Sequence, residues 1–133
     1  MAYKQVQSSS TWTPVLTFGG GSTGITYTTQ SATYSVIGNV CFLNVLITLS
    51  NKGSSTGTAA ITGLGFTPAA NSTGVVTYQN TTNAGKEIVA LFRNNSGFEM
   101  LLRSINTATT LTNLADTDFQ NTSQFNITGF FLM

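Results

Sequence analysis

The sequence predicts an all-β, antiparallel two-sheet sandwich closed as an eight-strand jelly roll. Three observations carry the prediction. Apolar residues alternate at the strand period of 2, and no stretch keeps the helical period. Clusters of Gly, Asn, Ser and Thr punctuate the chain at short intervals, as turns between short strands do. At 133 residues, with 41% hydrophobic content, the chain is long enough for one domain with a real core.

Residues 1–11 are polar and without periodicity, and read as a leader or the end of a linker; residues 12–133 read as the single sandwich domain. Trp12, Pro14, Leu16 and Phe18 form a short apolar segment ended by Gly19, Gly20 and Gly21. Pro14 cannot donate to a ladder, which makes this an edge strand or an extended strap. Ile25–Thr28 and Ala32–Ile37 are two further short strands, closed by Gly38-Asn39.

The longest alternation follows, over Val40–Leu49. Cys41, Leu43, Val45, Ile47 and Leu49 share one face and should be core. The opposite face, Val40, Phe42, Asn44, Leu46 and Thr48, is apolar enough to be partly covered. Asn51-Lys52-Gly53 supplies a turn, after which Thr58–Gly63 reads as a partner strand of small residues. Gly63–Asn71 is a loop anchored by Leu64 and Phe66.

Val75–Gln79 is another strand, and Asn80–Gly85 a polar loop. Glu87–Arg93 and Phe98–Arg103 make the clearest hairpin, turning at Asn94-Asn95-Ser96-Gly97 with Ile88, Ala90 and Phe92 on one face. Residues 105–121 are a Thr- and Asn-rich connection from which Leu111, Leu114 and Phe119 dip inward. The last strand, Gln124–Leu132, is apolar on both faces, with Phe125, Ile127 and Phe131 opposed to Phe130 and Leu132, so it should be central or covered.

Charge excludes several functions. Only 7% of residues are charged, against about 25% in typical soluble domains. The five basic residues are scattered, which argues against nucleic acid. No apolar run approaches the roughly 18 residues of a membrane span, and no secretory signal is evident. Cys41 is the only cysteine and sits in the apolar alternation, so it reads as a small buried hydrophobe with no internal disulfide to form.

The residues from Thr11 to Phe66 carry a resemblance. Thr11-Trp12-Thr13-Pro14, Phe18-Gly19-Gly20, Gly24-Ile25-Thr26-Tyr27, Tyr34, Ile37-Gly38-Asn39, Lys52-Gly53-Ser54-Ser55-Thr56-Gly57 and Ile61-Thr62-Gly63-Leu64 follow one another. The series resembles the C-terminal receptor-binding (head) domains of phage tail-fibre and tail-spike proteins, which read "TWTP", "FGG", "GITY", "YxxIGN", "KGSSTG" and "ITGL" in that order. Asp118-Phe119 and Ile127-Thr128-Gly129-Phe130 resemble the closing segments more weakly. Gly65 departs from the Pro common in such sequences. The short leader departs from their long fibrous regions, which leaves an excised module and a stand-alone protein both open.

The resemblance implies a virion-surface domain at the fibre tip, a homotrimer that binds a host-surface glycan or protein. The alternative is a trimerisation or capping module without receptor contact. A threefold assembly would cover Phe42 and Leu46, together with Phe130 and Leu132. The candidate receptor-binding residues are Tyr78 as a stacking ring, with Asn80, Thr81, Asn83, Asn106, Asn113 and Asp116 in the polar loops around it.

Catalysis is not expected. The chain has no His, so neither a Ser-His-Asp nor a Cys-His arrangement can be built. Of the four carboxylates, Glu87 and Glu99 lie on facing hairpin strands, where a glycosidase would need two carboxyls about 5 to 10 Å apart. Exposed charges shared with Arg93 and Arg103 are the better account of that pair. Asp116 and Asp118 offer two oxygens where Ca²⁺ takes about six to eight, so they read as turn caps and no metal or cofactor is expected.

Overall fold

A computed structural model describes residues 9–81, 87–94, 98–107 and 110–133; side chains are not described at 78–79, 94, 98–107 and 110–111. The described chain is antiparallel β-structure with one short 3-10 turn, η1 (Asp116–Asp118). Its strands are β1 (Ser9–Trp12), β2 (Val15–Phe18), β3 (Ile25–Ile37), β4 (Val40–Lys52), β5 (Ala59–Thr62), β6 (Ser72–Thr81), β7 (Glu87–Asn94), β8 (Phe98–Thr107), β9 (Thr110–Asn113) and β10 (Phe119–Leu132).

Among the described residues there are ten strands where eight were expected, and they form one continuous ladder rather than two separate sheets. The order is β1-β3-β4-β10-β6-β7-β8-β5-β2, with β9 beside β8. The first two strands lie at opposite ends of this order, so the bend at Thr13-Pro14 spans from one sheet edge to the other. Side chains join those edges. The Leu16 N–H donates to the Tyr27 hydroxyl at 3.0 Å, and Gln30 Nε2 donates to the Pro14 carbonyl at 2.8 Å. Pro14 thus stands where the ladder is interrupted, the place a residue without an N–H can occupy.

The core follows the alternation of β4. Cys41, Leu43, Val45, Ile47 and Leu49 are all buried, and across β10 they meet Phe125, Ile127 and Phe131. Ile88, Ala90 and Phe92 of β7 face the same interior, as do Leu16, Phe18 and Ile61. β10 lies between β4 and β6, which accounts for its apolar character.

Several expectations change. β3 is one strand of 13 residues in place of two, with its register shifting around Tyr27 and Thr29. β5 does not partner β4: it pairs with β2 and β8. Its Ala59, Ala60 and Ile61 are buried, and the small residues suit a strand flanked on both sides. The ladder also reaches three residues into the polar segment before Trp12, because Ser9–Thr11 pair with Thr33–Ser35. β10 begins at Phe119, five residues earlier than expected, and carries a register shift between Phe119 and Gln124.

Candidate functional site

The hairpin register places the polar loops. Val75 stands opposite Val89, and Val89 opposite Arg103, so β6 and β8 run on in the same direction from this row. Asn80 and Thr81 end β6, and Asn106 nearly ends β8, at the same end of the sheet where β7 begins at Glu87. The paired Asn94 and Phe98 lie at the other end. Asn83 is outside the described residues; the backbone at Tyr78 stands opposite buried Phe125, and the side chains of Tyr78 and Asn106 are not described.

Asn80 has a positive φ of 57°. This left-handed conformation suits Asn better than most side chains, because its short amide can bond locally. Its carbonyl accepts the buried Ser123 hydroxyl at 2.6 Å, and its Nδ2 donates to the Thr122 carbonyl at 3.3 Å. The Gln120 N–H in turn donates to Ser123 Oγ at 2.8 Å. Asn80 is therefore fastened to the bulge of β10, whose Gln120, Asn121 and Thr122 are exposed. Sequence reasoning missed this bulge. Its signal was the polar run Gln120–Gln124 between Phe119 and Phe125.

Asp116 has a different task. Its Oδ1 accepts the Gly57 N–H at 2.9 Å, its own N–H donates to the Gly57 carbonyl at 3.1 Å, and its carbonyl accepts Lys52 Nζ at 3.2 Å. The Lys52 N–H donates to Asn121 Oδ1 at 3.1 Å. Asp118 Oδ2 accepts the Ala115 N–H at 2.8 Å, so both carboxylates cap backbone. Among the described residues no group of three His, Cys, Asp or Glu could hold a metal ion. Asn113 is exposed on β9, opposite Arg103.

The structure brings Asn80, Thr81 and Asn106 to one end of the sheet, and assigns Asp116 to holding the end of β4 against the start of β5. The paired-carboxylate geometry fails. Glu87 stands opposite Ile105 and Glu99 opposite Arg93, which separates the two acids by about 20 Å along the ladder at roughly 3.3 Å per residue. That is beyond the roughly 5 to 10 Å of a glycosidase pair.

A second surface lies on the outer face of β4, β10 and β6. Phe42 stands opposite Phe130 with ring centroids 5.7 Å apart, and the row Asn44, Thr128, Val75 and Val89 runs beside them. Val75 is 72% exposed, Phe130 54%, Leu132 50% and Phe42 44%. No described helix is long and apolar enough to cross a membrane.

No family model matches the sequence, and no curated protein matches it. Among solved structures, the chain is similar to the Dettilon tailspike protein (gp208), with a TM-score of 0.76 and 20% identity over 94% of this chain. The matched region is 23% of that protein's chain. At this identity the likeness establishes a shared fold: the antiparallel β-domain described here recurs as one part of a phage tailspike.

Proposed function

We propose that this chain is a tail-associated virion domain at the tip of a phage fibre, assembled as a homotrimer, that binds a host-surface receptor. A neutral glycan is the favoured ligand class. The observation that carries the reading is the fold shared with part of a tailspike protein over 94% of the chain, which agrees with the ordered motifs of residues 11–66. Scarcity of charge fits a neutral ligand recognised through hydrogen bonds, and the sheet end formed by Asn80, Thr81 and Asn106 is the favoured contact. Tyr78, Asn83, Asn113 and Asp116 complete the candidate set, the Asp116 carboxylate accepting the Gly57 N–H. On this reading the domain acts by binding, and the separation of Glu87 from Glu99 along the ladder disfavours that pair as a glycosidase centre.

Binding of the purified domain to host cells and to their isolated surface polysaccharide tests the reading. Saturable binding, competed by free polysaccharide, is expected. Binding to neither would leave the capping role. Replacing residues 80–85 with a short turn separates the two: a receptor-binding tip loses adsorption, whereas a cap keeps it.

A further inference from the structure

We propose that the bulge of β10 supplies the side chains that discriminate between saccharide ligands, Gln120 and Thr122, and that buried Ser123 positions them; the inference deepens the receptor-binding reading and rests on it. Residues 120–123 stand between Phe119 and Gln124, where the facing stretch of β6 has only Asn80 between Thr81 and Gln79. Bulges of this kind interrupt a ladder and re-aim side chains, and they recur beside functional sites. A regular strand turns successive side chains to opposite faces. Here Gln120, Asn121 and Thr122 are exposed in succession, with Ser123 fully buried behind them.

The latch that holds this shape uses the backbone of Gln120 and Thr122 and leaves their side chains to a ligand. Ser123 Oγ accepts the Gln120 N–H at 2.8 Å and donates to the Asn80 carbonyl at 2.6 Å, while Asn80 Nδ2 donates to the Thr122 carbonyl at 3.3 Å. Asn121 is held too, its Oδ1 accepting the Lys52 N–H at 3.1 Å. Among the described residues Asn80 is the one non-glycine with a positive φ, and an outlier sustained by its surroundings points to a site. A second, independent observation points to a ligand. Thr81 Oγ1, opposite Phe119 at the edge of the bulge, is buried without a hydrogen-bond partner although the residue is partly exposed. An orphaned hydroxyl is costly, and rotation about χ1 would turn it toward a bound group. Charge sets the ligand class. Lys52 Nζ donates to the Asp116 carbonyl at 3.2 Å, and the Asp116 and Asp118 carboxylates accept backbone N–H groups. Glu87, exposed at the start of β7 at the same end of the sheet, disfavours an acidic saccharide. The bulge offers an amide and a hydroxyl, each both donor and acceptor. The matching ligand group is the hydroxyl of a neutral saccharide, which also donates and accepts.

Binding of the whole chain to the isolated surface polysaccharide of the host, with competition by single neutral sugars, tests the assignment. Gln120→Ala and Thr122→Ala should each weaken binding by about three- to tenfold, change the order in which the sugars compete, and leave the urea midpoint unmoved. Thr81→Val keeps the shape and removes the hydroxyl. It should bind at least about threefold more weakly while being no less stable than wild type, because an unpaired buried group is lost. Ser123→Ala, measured at a temperature where the variant is fully folded, should weaken binding by a similar factor with Gln120 and Thr122 still in place. It should also alter the order of the sugars, which a loss of stability alone would not do. If Ser123→Ala does not fold, the two exposed positions carry the test. A wild type that binds, with Gln120→Ala and Thr122→Ala binding equally well in the same sugar order, would overturn the role of the bulge and leave the receptor reading intact. A wild type that binds neither host cells nor polysaccharide would overturn the receptor reading itself, and the role of the bulge with it.

Discussion

Phe92 lies across the paired backbones of Gly74 and Gly129, which makes Gly129→Ala a sharp test of how the core closes. A Cβ on Gly129 would lie 2.6 Å from Phe92 Cε2, 2.8 Å from Cζ and 3.0 Å from the Gly74 Cα. Carbon contacts are comfortable at roughly 3.5 to 4.0 Å, so the ring must retreat by about 1 Å. It has nowhere to go. Phe92 is fully buried, Phe131 packs against it at a centroid distance of 6.2 Å, and a Cβ on Gly74 would meet the same ring at 2.6 Å. Overpacking of this kind costs about 1 to 3 kcal/mol, and Ala returns about 0.5 to 1 kcal/mol over Gly in a strand interior. The difference spans about 0 to 2.5 kcal/mol, and a fully buried ring with no room to retreat puts it in the upper half, about 1 to 2.5 kcal/mol, which for a chain of this size lowers Tm by about 4 to 9 °C. A double-mutant cycle isolates the cause. Phe92→Leu alone costs about 1 to 2 kcal/mol by leaving part of the ring's volume empty, but it should make room for the alanine, so the double variant loses at least 1 kcal/mol less than the sum. Denaturant melts of the four proteins at one concentration measure it. Additivity within about 0.5 kcal/mol, or a Gly129→Ala variant as stable as wild type, would refute this packing.

The other predictions concern the core, its buried titratable groups, and the Asp116 latch between the end of β4 and the start of β5. Val45 is fully buried between Ala32 and Ile127, so Val45→Asp should yield no folded protein by circular dichroism, an unpaired charge having no exit. Asp116→Ala strands the Gly57 N–H and should cost about 1 to 3 kcal/mol in a urea melt, whereas Asp116→Asn keeps an acceptor and recovers most of it. Burial pushes the Cys41 thiol above its ordinary 9.0, so Ellman's reagent should leave native Cys41 untouched. The unfolded thiol ionises first, so its contribution to stability is full below pH 9 and falls as pH rises beyond it; Cys41→Ala should remove that part of the alkaline slope. Burial also raises Tyr27 above 10.0, partly offset by the bond from the Leu16 N–H, and this adds a second decline at higher pH that Cys41→Ala leaves in place.

The parts of the fold legible in the sequence are those where one strand face is core and the other is not. The inner faces of β4, β7 and β10 were all readable from period 2, and all are buried. β3 was not readable as one strand, because Thr28, Thr29, Gln30 and Ser31 interrupt its apolar positions; these residues suit a sheet but leave no hydrophobic signature. The partner of β5 depended on topology. A turn at Asn51-Lys52-Gly53 suggests a local hairpin, yet the Asp118 and Asp116 caps and the Gly57 contacts lead the chain to β2 and β8. β1 and β9, four residues each, carry too little pattern to be seen. At the candidate site, the sheet end could be inferred from the hairpin, but the tie between Asn80 and Ser123 joins residues 43 positions apart and leaves no trace in local composition.

The motifs that carried the resemblance hold backbone together. Gly53 has a φ of 73°, and a Cβ there would strike the Thr23 carbonyl and the Ile25 nitrogen, so "KGSSTG" lies directly on the chain entering "GITY". Ser55 Oγ completes that approach by accepting the Thr23 N–H at 2.9 Å. Gly63, with a φ of 116°, lets "ITGL" pass against the Thr13 carbonyl of "TWTP". These are requirements of backbone geometry, met by residues without side chains, and they constrain the fold whatever the domain binds. A domain can therefore keep this fold at 20% identity while every outward side chain differs. The motifs identify the scaffold; under the proposed receptor-binding role, discrimination between receptors would fall to residues outside them, of which Asn80, held in its left-handed conformation by the β10 bulge, has a set geometry.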